Sequence, residues 1–286
     1  MKKLMFTAAV AAAGGLMAIE SANTVGFTTA DVPKGEFGQL AVQFEKTGGG
    51  NATVDQLFKG EITGVEAEFE PTTYVVTSES KQKAAQIQVW TGSEYNYYYY
   101  FSNAWDPTLN DGEGGETTGW ADGIIGEIAT DTLAPGQAAW VKATTANTHI
   151  VQAGQVYDGS YEKSCPKGEF VMIANTMPTA LDLNDATQIE FAGLTPVAAD
   201  FDPATFVVTS ASKQNAAQIQ VWTGSEYVYY YYFSNAWDST LNGGEGGEVT
   251  AWADGIIGEV VADKIPTGQG FWLKATTSAT TVTINK

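Results

Sequence analysis

The sequence predicts an all-β protein made of two tandem homologous antiparallel β-sandwich or jelly-roll-like domains. Short runs rich in β-branched and aromatic residues alternate with glycine-rich turns along the chain, which is the pattern of strands joined by tight connections. Most of these runs occur twice. Charged residues make up 16% of the chain, below the roughly 25% of soluble domains, so few exposed helices with charged outer faces are expected.

The repeat defines the domains. The segment that begins "VVTSESKQKAAQIQVWTGSEYNYYYYFSNAWD" at Val75 returns almost unchanged at Val207, an offset of 132 residues, and all eight tryptophans fall on the repeat. A period this long indicates two complete domains instead of a solenoid of small units. We predict a first β-repeat domain at residues 23–155 and a second at 156–286, joined by a turn-rich linker near Gly154 to Tyr161.

The N-terminus has the features of a secretory signal peptide. Two lysines, Lys2 and Lys3, precede an apolar run from Leu4 to Ile19 that is followed by small residues. This run is shorter than the roughly 20 residues that span a bilayer, so we assign residues 1–22 to a cleaved signal. No later segment is apolar enough to be transmembrane, and the mature protein is expected outside the cell or at the cell surface.

Secondary structure is predicted from local patterns. Strands are expected in "TTYVVTS", "AQIQVWT", "YNYYYYFS" and "QAAWVKATT" of the first repeat, and in "ATFVVTS", "VYYYYFS", "GFWLKATT" and "TTVTIN" of the second. Turns are expected in "NDGEGGE", "ADGIIGE" and "APGQ". The best helix candidates are "NATVDQLFKG" and "LNDATQIEFAG", because each contains Asn or Asp where a cap would stand.

The most unusual feature is a hairpin with four consecutive tyrosines in each repeat. A two-residue turn at Gly92-Ser93 places an aliphatic face toward the core and an aromatic face, ending at Phe101, on the opposite side. Glutamines stand between these rings, which suits a recognition surface better than a core. The predicted ligand or interface residues are Trp90, Tyr95, Tyr97, Tyr99, Gln86 and Gln88, with Trp222, Tyr227, Tyr229, Tyr231, Gln218 and Gln220 in the second repeat. The alternative is a strand buried on both faces, whose tyrosines serve only packing.

Charge and cysteine content exclude several functions. The net charge is −19 and all 14 basic residues are lysines, so there is neither the basic stripe of a nucleic-acid binder nor the forked guanidinium that grips anions. Cys165 is the only cysteine, so the fold depends on core burial and strand pairing. We expect Cys165 to be a small, partly buried apolar residue; an intermolecular disulfide is the alternative.

One acidic loop in each repeat carries oxygen ligands suited to calcium. Extracellular Ca²⁺ takes six to eight oxygen ligands on flexible loops, although the spacing here matches no EF-hand and a solvated acidic turn is the competing interpretation. The possible calcium ligands are Asp106, Asn110, Asp111, Glu113 and Glu116.

Catalytic signatures are sparse, and we predict a protein that is not an enzyme. His149 is the only histidine, and Thr281 takes its place in the second repeat, so a histidine-based triad could occur once at most. Glu113 and Glu116 could act as paired carboxylates, but they stand in a loop without an apolar neighbour in the sequence.

Three segments support a resemblance. The start "NTVGF" of the expected mature chain, the hairpin "VWTGSEYNYYYYF" and the closing "PTGQGFWLKATT" resemble uncharacterised secreted tandem-repeat β-proteins of Gram-negative bacteria. The resemblance implies export and a β-rich fold, and it implies no activity.

Two functions fit these observations. The first is a secreted structural or adhesive protein of the cell exterior, which self-assembles or binds partners through its aromatic hairpin surfaces. The second is a pair of carbohydrate-binding modules, in which flat rings stack on sugars while amide side chains bind hydroxyls, and two sites add avidity. The expected partner is therefore a copy of the chain or an extracellular glycan.

Overall fold

A computed structural model describes residues 25–285 and confirms the all-β prediction, with 47% strand and 8% helix. All pairings between its strands are antiparallel. The predicted signal peptide lies outside the described residues. Over the described range, none of the helices has both the length and the apolar character needed to cross a bilayer.

The first repeat forms a five-stranded sheet, a four-stranded sheet and one small strand pair. Its strands are β1 Val25–Val32, β2 Phe37–Ala41, β3 Phe44–Glu45, β4 Ala52–Thr53, β5 Lys59–Glu61, β6 Gln86–Trp90, β7 Tyr95–Asp106, β8 Gly115–Asp122, β9 Thr132–Leu133, β10 Ala138–Lys142 and β11 Thr148–Val156. The large sheet has the order β2-β10-β6-β7-β8. The other has the order β1-β11-β3, with β5 also on β11, and β4 pairs with β9.

The second repeat rebuilds the same large sheet. Its strands are β12 Tyr161–Cys165, β13 Phe170–Ala174, β14 Ile189–Ala192, β15 Gln218–Trp222, β16 Tyr227–Asp238, β17 Gly247–Asp254, β18 Gly270–Lys274 and β19 Thr280–Ile284. The order β13-β18-β15-β16-β17 is the equivalent of the five-stranded order in the first repeat, and β12-β19-β14 forms the smaller sheet. Each sheet takes its strands from one repeat only.

In the described part of the chain the α-helices are short: α1 Val54–Leu57, α2 Ser78–Lys83 and α3 Ser210–Asn215, with 3-10 turns at Asn110–Gly112 and Leu241–Gly243. The helix predicted in "NATVDQLFKG" forms for one turn, capped by Thr53 and Gln56. The helix predicted in "LNDATQIEFAG" is wrong. Asp185 accepts hydrogen bonds from the backbone and hydroxyl of Thr187 at 2.9 and 2.6 Å, which holds a turn, and the residues after it pair with β19 as strand β14.

The strands predicted in "TTYVVTS" and "ATFVVTS" are also wrong. Val76 forms only a single bridge, with Phe69, because Tyr74 turns the chain at a positive φ of 55°. Thr77 then accepts a hydrogen bond from the Ser80 backbone and starts α2. The threonine that extends the strand pattern in the sequence is here the N-cap of a helix, and the serine after it is the first helical residue.

In each repeat, one buried cluster joins residues of the five-stranded sheet to residues of the smaller sheet that contains β11 or β19. In the first repeat Ile87 and Val141 of the large sheet share a buried cluster with Ile150 of β11. In the second, the equivalent cluster contains Cys165, which is fully buried and has a free thiol. Cys165 is thus buried more completely than the sequence predicted, and burial raises the pKa of its thiol.

Candidate functional site

The tyrosine hairpins have the predicted register. The backbone nitrogen of Thr91 donates to the Glu94 carbonyl at 2.9 Å, and Gly92 takes a positive φ of 108° between them. This closes the two-residue turn and aligns the strands of each hairpin. The resulting pairs are Trp90–Tyr95, Gln88–Tyr97 and Gln86–Tyr99 in the first repeat, and Trp222–Tyr227, Gln220–Tyr229 and Gln218–Tyr231 in the second.

The inner face of the hairpin belongs to the core, as predicted. Ile87 and Tyr98 are both buried. Burial raises the pKa of Tyr98 far above its usual value, and the 2.5 Å hydrogen bond from its hydroxyl to Asp131 is the second cause of this increase. Burial beside Asp263 raises the pKa of the equivalent Tyr230 to about 12. The Tyr98 hydroxyl is thus a hydrogen-bond donor to Asp131, and the Tyr230 hydroxyl lies 3.5 Å from an Asp263 oxygen.

The outer face is covered at the turn end of the hairpin by the other repeat. Trp90 lies edge-on to Trp272, with ring centroids 5.8 Å apart, and Trp222 lies edge-on to Trp140 at the same distance. Trp140 and Trp272 share one buried cluster with alanines and Met172. The half-buried rings of Trp90, Trp222, Tyr95 and Tyr227 pack against it. We call this cluster and the rings packed against it, which together hold Trp90, Trp140, Trp222 and Trp272, the inter-repeat contact.

Backbone hydrogen bonds cross the inter-repeat contact in a reciprocal way. The Ala41 nitrogen donates to the Gly268 carbonyl at 2.8 Å, and the Ala174 nitrogen donates to the Gly136 carbonyl at 3.1 Å. Ala41 and Gly136 of the first repeat are the sequence equivalents of Ala174 and Gly268. Such an exchange of equivalent bonds is what an approximate two-fold relation produces, so the repeats associate as a homodimer would.

Farther from the turn the aromatic row is only partly open. Tyr97 and Tyr229 are 45% and 43% exposed. Tyr99 is half-buried and stacks on Phe101, with centroids 6.0 Å apart. Phe101 is fully buried, so the expectation that it lies on an open surface is wrong. It packs in a separate buried cluster that includes Ala67 and Val76.

The glutamines of the row are half-buried and form bonds within the hairpin region. The Gln86 side-chain nitrogen donates to the Lys81 carbonyl at 3.1 Å, and the Gln88 nitrogen lies 3.5 Å from the Gln86 side-chain oxygen. In the second repeat the Gln218 nitrogen donates to the Lys213 carbonyl at 3.0 Å, and Gln220 is half-buried. Each predicted row thus offers one exposed ring beside amides that are largely engaged.

The acidic loops form self-capped turns. Asp106 accepts hydrogen bonds from the Thr108 hydroxyl and backbone at 2.7 and 2.8 Å, and these bonds lower its pKa. Asn110 donates to the Gly114 carbonyl at 2.8 Å. Within residues 25–285 no three His, Cys, Asp or Glu side chains lie close enough to hold a metal ion. Calcium at Asp106, Asn110, Asp111, Glu113 and Glu116 therefore stays a prediction from sequence.

The histidine lies away from both hairpin rows. His149 is on β11, and its Nδ1 is 2.6 Å from an Asp31 oxygen on the neighbouring strand. The Asp31 side chain is mostly exposed, so the pair lies on an open sheet surface.

Sequence reasoning missed one surface, which we call the apolar tip of each repeat. In the first repeat it combines the loop around Phe69 and Tyr74 with the loop at Ile124 and Ile125, joined by a 2.8 Å bond from the Val76 nitrogen to the Ile124 carbonyl. Its exposed fractions are 40%, 72%, 65% and 52% for Phe69, Tyr74, Ile124 and Ile125, against 39%, 73%, 65% and 52% for Phe201, Phe206, Ile256 and Ile257. The signal was the "II" that both copies retain inside a turn.

The chain was also compared with known proteins. No family model, no curated protein and no solved structure matches it. The geometry of its own residues is therefore the basis for assigning a function.

Proposed function

We propose that this is a secreted, non-enzymatic structural or adhesive protein of the cell exterior, built as two tandem β-sandwich modules. It associates with copies of itself or with an extracellular polymer through its exposed aromatic and apolar surfaces. The observation that carries the proposal is the apolar tip, because equivalent residues are exposed to nearly the same extent in both repeats. Contiguous exposed apolar surface on an otherwise soluble protein usually marks an interaction site.

Backbone strain at the tip supports a role in binding. Tyr74 and Phe206 hold φ values of 55° and 57°, in the left-handed region that bulky side chains avoid. This conformation costs roughly 1–2 kcal/mol per residue. Both rings point largely into solvent, so little packing offsets this cost. Strain retained at an exposed site is more easily explained by binding than by folding.

The inter-repeat contact supports two-site binding. Four tryptophans and reciprocal backbone bonds hold the repeats together, so the two apolar tips keep a set distance from one another. Two equivalent sites on a rigid support increase avidity for a repetitive partner. If one tip binds the tip of another molecule, each molecule joins two neighbours, and a linear assembly grows without any further contact.

Self-association is tested by removing the tips. We expect the average mass of the mature protein in sedimentation experiments to rise with concentration. Replacing Ile124, Ile125, Ile256 and Ile257 by serine should abolish this rise, because it removes most of the exposed aliphatic surface. These side chains are more than half exposed, so the variant should fold.

The matched control separates the two kinds of surface. Tyr97→Ala with Tyr229→Ala removes the exposed ring of each hairpin row and leaves the apolar tips intact. We expect it to assemble like the wild type. A wild type that is monomeric at every concentration would contradict self-assembly, and loss of assembly only in the tyrosine variant would transfer the interface to the hairpin rows.

Carbohydrate binding is the second candidate, and the exposure of Tyr97 and Tyr229 favours it. Each ring has a tilted neighbour, with Tyr95 and Tyr97 centroids 6.3 Å apart, and glutamines flank the row. On a glycan array we expect binding to polysaccharides that is lost in the variant Tyr97→Ala with Tyr229→Ala. Equal glycan-array binding by the wild type and the variant would show that the hairpin rows are not the sugar site.

A further inference from the structure

Two clefts flank the inter-repeat contact, one on each side. The first has a volume of about 570 Å³ and lies between β2 of the first repeat and the hairpin turn of the second, at Trp222 and Gly224. The second, of about 720 Å³, has the equivalent walls, with Trp90 and Gly92 facing β13. Both volumes are typical of sites for small molecules, and domain interfaces are common positions for such sites.

The first cleft differs from the second by buried amides. Gln39 is 4% exposed, and neither its side-chain nitrogen nor its side-chain oxygen has a hydrogen-bond partner. Gln152 lines the same cleft at 2% exposure; its nitrogen donates to the Ala41 carbonyl at 2.9 Å, but its oxygen has no partner. The second repeat has Met172 and Ile284 at these positions.

This difference between the repeats points to a ligand. A buried amide without a partner destabilises a fold, and the second repeat demonstrates that apolar residues are accommodated at the same two positions. The polar pair is therefore not required by the fold. A molecule that enters the first cleft and bonds to these amides would supply the missing partners.

The chemistry of the walls defines the ligand class. Gln39 offers a free donor and a free acceptor on one group, which a hydroxyl can satisfy because it both donates and accepts. Trp222 supplies an aromatic wall. The acidic residues Glu36 and Asp263 line the cleft, whereas its Lys264 is engaged by Asp182 at 3.5 Å, so an anion would be repelled. We propose that this cleft binds a neutral mono- or disaccharide.

The cleft proposal is independent of the apolar tips and of the hairpin tyrosines. Neither Tyr97 nor any tip residue lines it. Sugar binding in the cleft and assembly through the tips are therefore tested separately. Calorimetry of the Gln39 variant measures sugar binding, and sedimentation of the same variant measures assembly.

The test uses the mature protein with glucose, galactose, mannose, N-acetylglucosamine, cellobiose and maltose. We expect at least one sugar to bind by titration calorimetry and to raise Tm by about 3 °C or more at about ten times its Kd. Gln39→Met, which copies the residue of the second repeat, should weaken that affinity by about tenfold or more. Without sugar it should melt at a higher temperature than the wild type, since no unpaired amide is left at that position.

Two further variants complete the test. Gln152→Ile, which copies Ile284, should also weaken binding and covers the case in which Gln39→Met does not fold. Tyr97→Ala with Tyr229→Ala should bind as tightly as the wild type, which separates the cleft from the hairpin rows. The proposal is overturned if none of the six sugars binds, or if both glutamine variants bind like the wild type.

Discussion

Replacing Trp140 and Trp272 by alanine is expected to uncouple the two repeats. Both rings are more than nine-tenths buried in the inter-repeat contact, and each meets a tryptophan of the opposite repeat at 5.8 Å. Truncation of a buried tryptophan costs about 3–5 kcal/mol. Because the rings join the repeats, the loss should appear as two unfolding transitions at lower midpoints in place of a single transition, measured by calorimetry and by urea denaturation.

A matched control exists in two exposed tryptophans, one in each repeat. Trp105 and Trp237 are 44% and 45% exposed, and replacing both by alanine should cost under about 1 kcal/mol each and leave one transition. If the variant of Trp140 and Trp272 keeps the wild-type midpoint and a single transition, then the inter-repeat contact contributes little to stability. The inference that the two apolar tips are held at a set distance would then be wrong.

The second large effect is a difference between two equivalent core tryptophans. The indole nitrogen of Trp120 donates to the Phe58 carbonyl at 2.5 Å, whereas that of Trp252 is buried without a partner. Trp120→Phe should therefore cost about 1–3 kcal/mol more than Trp252→Phe. Trp120→Phe removes a buried hydrogen bond, whereas Trp252→Phe removes an indole donor that has no partner.

Each of these variants is the control for the other. Both rings are at most 1% exposed, and the substitution removes the same atoms from each, so the loss of packing is similar. The free energy of unfolding is obtained from urea titrations of both single variants. Equal losses, or a larger loss at Trp252, would contradict the hydrogen-bond assignment at Trp120.

The hairpin register could be predicted because it depends on local chemistry. Gly92 supplies the positive φ of a two-residue turn, and once the turn is set the alternation of the strand decides which ring faces which residue. The position of Gln88 opposite Tyr97 follows from those facts alone. The same local logic predicted the strands that flank the turn.

Predictions from local sequence patterns were wrong where a segment distant in the chain pairs with the same residues. The segment "LNDATQIEFAG" has caps for a helix, but the residues Ile189–Ala192 near its end pair with Thr281 to Ile284 of β19, which lie 89 to 95 positions later in the chain. The loop at Ile124 and Ile125 has turn chemistry, but its exposure depends on which neighbouring segment covers it. Neither outcome is encoded within ten residues of the segment concerned.

From its sequence alone, this protein is determined to be a duplicated, acidic β-protein with two tyrosine hairpins of known register, since strand alternation and turn chemistry act over a few residues. Only the tertiary structure decided what those hairpins face. At the turn end each row is covered by the other repeat, through Trp90 with Trp272 and Trp140 with Trp222. Of the rings in each row, only Tyr97 and Tyr229 are exposed, and both are less than half exposed. The physical reason is that burial depends on contacts between residues more than 80 positions apart.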